Sequence, residues 1–426
     1  MRASVRCCFA LWLTLCLLSG AAVNISAAEP VGPFQPNDWP WWRGQTRDGK
    51  AQSGQNPPLA WSETENLLWK TPIPGRGHGS PTVVANAVYL ATADEQAETR
   101  SVLALHRDSG QLLWSCLVHQ GSPTPPRNAR GTQASSTVAC DGHRLFINFL
   151  HDGAMFTSAI TLEGKLLWQT RVADYIVHQG YGSSPAIFEG LCIVSADSKA
   201  GGAIAALDRR TGNIVWKVDR PQLPNYPSPI LLKAAGKTQL LMTGCDLVTS
   251  LNPRTGEKFW EIPGATTECV TSTLTNGDLI YTSGGYPENH VSAVRADGSG
   301  ELVWKNGSRV YVPSMLIHEG YLYGIMDAGV AVCWNASTGE EIWKGRLQGT
   351  FSSSPVLVGS RIYVINESGE TFVFEAKPQQ FELLARNQLG QECFATPAIC
   401  GSRIYTRIAS SENEQRQEYL YCLGKK

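Results

Sequence analysis

The chain has 426 residues, with 36 basic and 37 acidic side chains, a formal net charge of −1 and 13 tryptophans. A charge so evenly balanced, with no basic stripe, excludes the electrostatic footprint of a nucleic-acid binder. The length allows two or three ordinary domains or one large repeat array, and short Val/Ile/Leu/Tyr runs bounded by Gly, Pro, Asn and Asp point to an all-β protein.

Residues 1–28 read as a signal peptide. Arg2 and Arg6 precede the apolar run "CCFALWLTLCLL", and "ISAA" supplies small residues for cleavage near Ala28. The run is short for a membrane span, and Leu15 before Cys16 is too large for a lipoprotein cleavage box. The expectation is therefore a soluble exported protein, periplasmic or extracellular, with no membrane span. Cleavage would remove two arginines and leave a net charge of −3. Nine of the twelve cysteines lie beyond residue 28, an odd number that leaves at least one thiol unpaired. Cys192 and Cys333 sit in apolar strand runs, where cysteine acts as a small buried hydrophobe.

Residues 29–58 are rich in Pro and Gly and carry Trp39, Trp41, Trp42 and Arg43. Two readings stand: a strap packed on the wall of the following domain, or an aromatic patch for a partner, since Trp and Arg are favoured in binding hot spots.

From residue 59 to 426 the chain repeats. A Ser/Thr-Pro-like mark opens an apolar run at 80, 135, 183, 228, 271, 313, 353 and 396. A turn containing Gly, followed four residues later by Trp, recurs at Trp114, Trp168, Trp216, Trp260, Trp304 and Trp343. Each unit of forty-odd residues reads as four short strands, which is propeller periodicity with one unit per blade. The unit that opens at Thr396 has room for three strands. An orphan strand, "NLLWKT" with Trp69, stands ahead of the first unit. Pairing the two closes a ring of eight blades and removes the exposed sheet edges of an open array.

Gly110, Gly164, Gly212, Gly256, Gly300 and Gly339 mark the turn between strands three and four, where a residue tolerant of positive φ is needed. The fixed offset places every indole at one height on the outermost strand, to cover the edge of the neighbouring blade. The seventh unit, "AKPQQFELLA", lacks both residues, and Leu384 stands in the Trp place.

This pattern, Ala/Leu-x-Asp/Asn-x-x-Thr-Gly-x-x-x-Trp, resembles the tryptophan-docking repeat of pyrroloquinoline-quinone-type propellers. That group holds eight-bladed quinoprotein alcohol dehydrogenases and a non-catalytic propeller lipoprotein of outer-membrane assembly. "WPWWRG" and "WSETENLLWKTPIPGRGHGSP" are also similar to exported quinone-propeller-like proteins of planctomycete bacteria. The dehydrogenase resemblance implies a quinone between a Trp floor and a disulfide of adjacent cysteines, with calcium held by Glu, Asn and Asp. Beyond residue 28 the chain has no adjacent Cys pair and no Cys-x-x-Cys-His haem site. It also lacks Gly-x-Ser-x-Gly, His-Glu-x-x-His and a phosphate loop. The expectation is a non-catalytic scaffold, a monomer without cofactor or metal, that binds an envelope protein, peptide or glycan. A quinoprotein-type dehydrogenase or another propeller enzyme is the alternative.

Function on a rigid scaffold resides in its loops. If the first strand of each blade lines the channel, the residues ahead of each Ser/Thr-Pro mark ring one mouth. These are Arg76, His78, Arg130, Gln133, His178, Tyr181, Tyr226, Glu268, Tyr311, Phe351 and Glu392, with Cys269 and Cys393 beside the two glutamates. Trp69 and the six repeat tryptophans are assigned to docking between blades.

Overall fold

The computed structural model describes residues 30–128, 130–412 and 415–425, so the expected signal peptide lies outside the described residues. Among the described residues, thirty-two strands form eight separate four-stranded antiparallel sheets, the blades of a propeller. First strands begin at Thr82, Ala139, Ala186, Ile230, Leu274, Leu316, Val356 and Ala398, each a few residues after a Ser/Thr mark. In seven blades the strands are consecutive. In the eighth, Leu67–Ile73 lies outside Gln415–Leu423, with Trp69 opposite Cys422 and Ile73 opposite Glu418, so the N-terminal strand closes the ring.

The tryptophans behave as blade clamps. Each packs against an aromatic ring, where one exists, on the second strand of its own blade: Tyr89–Trp114, Phe146–Trp168, Tyr281–Trp304, Tyr323–Trp343 and Tyr405–Trp69, with centroids 5.9–6.1 Å apart. Six of the seven indole N–H groups then reach across to the next blade. Trp69 donates to the Arg107 carbonyl, Trp168 to Arg209, Trp304 to Ala336 and Trp343 to Lys377, at 2.8–3.1 Å. Trp260 differs, donating at 3.1 Å to Oε1 of Gln239 in its own blade.

The turn glycines have a second role that the spacing did not disclose. A Cβ at Gly212 would stand 2.6 Å from the Trp168 ring, and one at Gly339 would stand 2.5 Å from Trp304. The glycine of one blade is thus the seat for the tryptophan of the blade before. In blade five this seat is Gly298, against Trp260, and not Gly300, which approaches Ile262 alone. The reason is a differently wound turn, "ADGSG" in place of Asp-x-x-Thr-Gly.

Blade seven corrects a second assignment. Strand register places Ala385, not Leu384, in the Trp row, because Tyr363 pairs with Val373 and Val373 with Ala385. The ring that faces Tyr363 is Trp61, stacked at 13° with centroids 6.5 Å apart. Trp61 is buried in a cluster that includes Val356 and Val373 of blade seven and Ala398 and Ile399 of blade eight. Asn387 fixes the segment from both sides, accepting from the backbone N–H of Trp61 and donating to the Leu59 carbonyl, each at 2.9 Å.

Residues 30–58 do not lie on the outer wall. They cross one end of the channel, on the face that carries the turns between strands one and two. Trp39 bridges Val83 of blade one, and the Pro40 carbonyl accepts from Cys140 of blade two. Arg47 donates to Ile187 of blade three, Ala51 to Leu357 of blade seven, and Asn56 to Ser402 of blade eight. Trp39, Trp41 and Arg43 are buried, so they are packing groups and not an exposed aromatic patch.

All nine described cysteines are buried and unpaired. Among the described residues no helix is long and apolar enough to cross a membrane.

Candidate functional site

With one end crossed by the strap, the channel is a blind cavity of about 540 Å³ that opens on the opposite face, within the size range of small-molecule sites (about 300–1,000 Å³). Trp42 forms its floor. The indole N–H donates to the Ser272 hydroxyl at 2.9 Å, a contact between residues 230 positions apart.

Around this floor the Ser/Thr marks of successive blades make a ring of hydrogen bonds. The Ser80 N–H donates to the Thr137 hydroxyl, Thr137 to Ser184, and Ser184 to Ser228, at 2.9–3.0 Å. On the other side Ser272 donates to Ser314, Ser314 to Ser354 and Ser354 to Thr396, at 2.8–3.0 Å. The mark recurs because each blade needs a short side-chain acceptor for the backbone N–H of the blade before. The sequence carries this signal at every strand start, but its spacing alone does not tell a strand start from a channel lining.

The cavity brings together His78, Arg130, Tyr181, Tyr226, Tyr311 and Phe351 from the expected mouth residues. Phe351 is almost wholly buried and packs on Phe372, so its weight is in the core. The others are placed elsewhere. Arg76, Glu268 and Glu392 share one register, forming backbone bridges to Ala93, Tyr286 and Ala409, and none of the three lines the cavity itself. Gln133 lines a separate small crevice beside Tyr181. His178 lies outside the cavity, with Nε2 3.2 Å from Glu268 and Nδ1 3.0 Å from Lys199. Cys269 and Cys393 are buried.

Sequence reasoning missed two ion pairs at the rim. Arg309 meets Asp327 at 3.1 Å, and Arg130 reaches across from the blade one–two connection to Glu367 of blade seven at 3.3 Å. Asp327 also accepts from the Tyr311 and Val312 N–H groups at 3.1 and 3.2 Å. Burial nonetheless raises its carboxyl above the ordinary range. Burial, and then the nearby Glu268, raise the Tyr311 hydroxyl. His78 stacks on Phe394 at 4.3 Å. Burial first, then the charges of Arg76, Arg407 and Arg416, hold it well below an ordinary imidazole, so it is neutral at physiological pH.

A profile of the family described as "Outer membrane protein assembly factor BamB" matches residues 51–149, 98–288 and 287–378. The chain belongs to the BamB family. It is 25% identical over 348 residues to the outer membrane protein assembly factor BamB of Burkholderia pseudomallei (strain K96243), covering 78% of this chain and 81% of that one. It is also 23% identical over 358 residues to a tetrathionate hydrolase of Acidithiobacillus ferrooxidans, covering 72% and 66%. Among solved structures, BamB from Moraxella catarrhalis superposes with a TM-score of 0.58 at 15% identity, covering 83% of this chain and 98% of that one. A europium-containing methanol dehydrogenase gives 0.65 at 12% identity, covering 91% and 98%. At these identities the superpositions speak for the fold alone.

A quinohemoprotein alcohol dehydrogenase from Comamonas testosteroni has the same fold, with a TM-score of 0.63 at 13% identity, covering 92% of this chain and 81% of that one, and the donor set of this cavity decides whether a quinone with calcium would fit. Trp42 offers a floor, but no pair of adjacent cysteines stands opposite it, and the described cysteines are buried away from the cavity. The acids on the wall, Asp327 and Glu367, are each committed to an arginine. Among the described residues no group of three His, Cys, Asp or Glu could hold a metal ion. The residues present do not fit that cofactor.

Proposed function

We propose that this BamB-family propeller is an exported, non-catalytic scaffold of the cell envelope that receives a protein or peptide partner at the open mouth of its channel. The observation that carries the reading is the one-ended cavity. The strap seals the far side, while the near side presents tyrosines and two salt-bridged arginines on connections held by rigid blades. Aromatic and arginine side chains around a concavity are the usual anchors of a binding surface. The relatives named as outer membrane protein assembly factors support a partner of envelope origin.

The test is recovery of partners from an envelope extract with the tagged protein. Arg309→Glu combined with Tyr311→Ala, in a variant that retains the parent's melting temperature, should lower recovery about tenfold or more. Unchanged recovery would remove the mouth from consideration.

A second reading, a propeller enzyme, has one feature in its favour. Lys199, His178, Glu268 and Tyr226 form a continuous polar chain, in which the Tyr226 hydroxyl donates to Glu268 at 3.4 Å. A histidine oriented by a carboxylate is the arrangement of a general base. A dye-linked dehydrogenase assay with added quinone and calcium, and a hydrolase screen comparing the parent with His178→Ala, separate the two. Turnover that depends on His178 would favour the enzyme.

A further inference from the structure

The base of the cavity has more hydrogen-bond donors than acceptors to receive them. Each ring hydroxyl that accepts a backbone N–H has its oxygen fixed by that bond. A serine or threonine hydroxyl also carries a donor, and among the described residues no acceptor takes it up for Thr137 or Thr396. Ser80, between these two in the ring, has a hydroxyl with no partner at all among the described residues. Next to it, Nε2 of His78 is buried without a partner, while the imidazole is held face to face with Phe394. Two residues earlier, Nε of Arg76 is buried without a partner, and no carboxylate pairs with this arginine among the described residues. The other two arginines on this side are matched: Arg407 pairs with Glu418, and Arg416 pairs with both Glu418 and Glu392. The wall formed by blades eight, one and two therefore has unspent O–H and N–H groups, and one uncompensated positive charge stands behind it, close to His78. A buried donor left unsatisfied loses the hydrogen bond it had to water, and a group consisting wholly of acceptors restores it.

We infer that this wall, above the Trp42 floor, binds a small oxyanionic group, either tetrahedral like sulfate and phosphate or planar like a carboxylate. Ser80 and the hydroxyls of Thr137 and Thr396 donate to it, His78 joins them in the tautomer that carries its proton on Nε2, and Arg76 supplies the field. A neutral sugar is a poorer match, because it needs protein acceptors as well as donors, and the cavity's carboxylates stand at the rim, committed to arginine. The inference does not depend on the partner proposed above.

The experiment is calorimetric titration of the folded protein with sodium sulfate, sodium phosphate or sodium acetate, each at constant ionic strength set by sodium chloride. Saturable binding at one site is expected for at least one of the three, and the preferred ion tells a tetrahedral group from a carboxylate. Ser80→Ala and His78→Phe should each weaken binding about tenfold. Ser80→Ala removes a hydroxyl that supports no backbone contact, so it keeps the test valid if His78→Phe fails to fold. No saturable heat with any of the three ions would overturn the inference, as would binding unaltered by Ser80→Ala and Arg76→Met.

Discussion

A tryptophan and a glycine from neighbouring blades make one unit of this structure, and their geometry predicts unequal costs for one substitution. Gly339 has φ of 73°, and a methyl there would meet the Trp304 ring at 2.5 Å. Gly277 has φ of 105° but nothing within 4 Å of an added Cβ. Gly277→Ala should therefore cost about 1 kcal/mol, from the backbone alone. Gly339→Ala should cost about 2–4 kcal/mol, because overpacking adds to it. Urea unfolding of the two variants checks the difference, and equal midpoints would show that the ring moves aside freely. This double use of glycine explains why the repeat was easy to find and only half understood. The turn requirement is local and visible in sequence. The seat for the neighbour's indole is a contact about forty residues away and is not.

Between elements, the junctions of the ring are where stability should be most sensitive. Trp61 takes the place left by the missing docking residue of blade seven, so Trp61→Ala should cost about 3–5 kcal/mol, as for other buried large aromatics. Leu384→Ala, at a partly exposed position, should cost much less. Differential scanning calorimetry of the pair decides whether Trp61 or Leu384 fills the gap. The junction of blades one and two carries a pH effect. His119 packs on His151 and Phe149. Burial first, then His151 and Arg100, pull it down to about 3. An unfolded histidine titrates near 6.5, so between these values the unfolded chain binds more protons, and stability falls as pH falls. By pH 5 the loss from this one group is about 2 kcal/mol. His119→Gln should reduce the pH 7 to pH 5 drop in urea midpoint by that amount, and an unchanged drop would place the acid sensitivity elsewhere. The blade starts were legible because strand alternation and turn residues repeat, so each unit corroborates the next. The strap was not: its sequence has no period, and the work of Trp61 and Trp42 shows only in contacts hundreds of residues away.

Over the whole molecule, the strap works as a girder as well as a floor. Its bonds reach blades one, two, three, five, six, seven and eight. Deleting residues 30–58 should lower the melting temperature and open the second end of the channel. Dye binding to newly exposed apolar surface, together with the melting curve, checks both effects. A variant that melts like the parent would mean that the blades hold the ring unaided. The closing blade has a consequence in time. The hydrogen bond from Tyr421 to Glu63 joins residues 358 positions apart, so Leu67–Ile73 is synthesised long before the strand it pairs with. Until Gln415–Leu423 emerges, Leu67–Ile73 has no partner strand and blade eight presents a raw edge, the kind of surface on which chains aggregate. A chain cut short ahead of Gln415 would not shorten the last blade so much as leave the circle open, and a chain held in that state would depend on whatever shields Leu67–Ile73 while it waits.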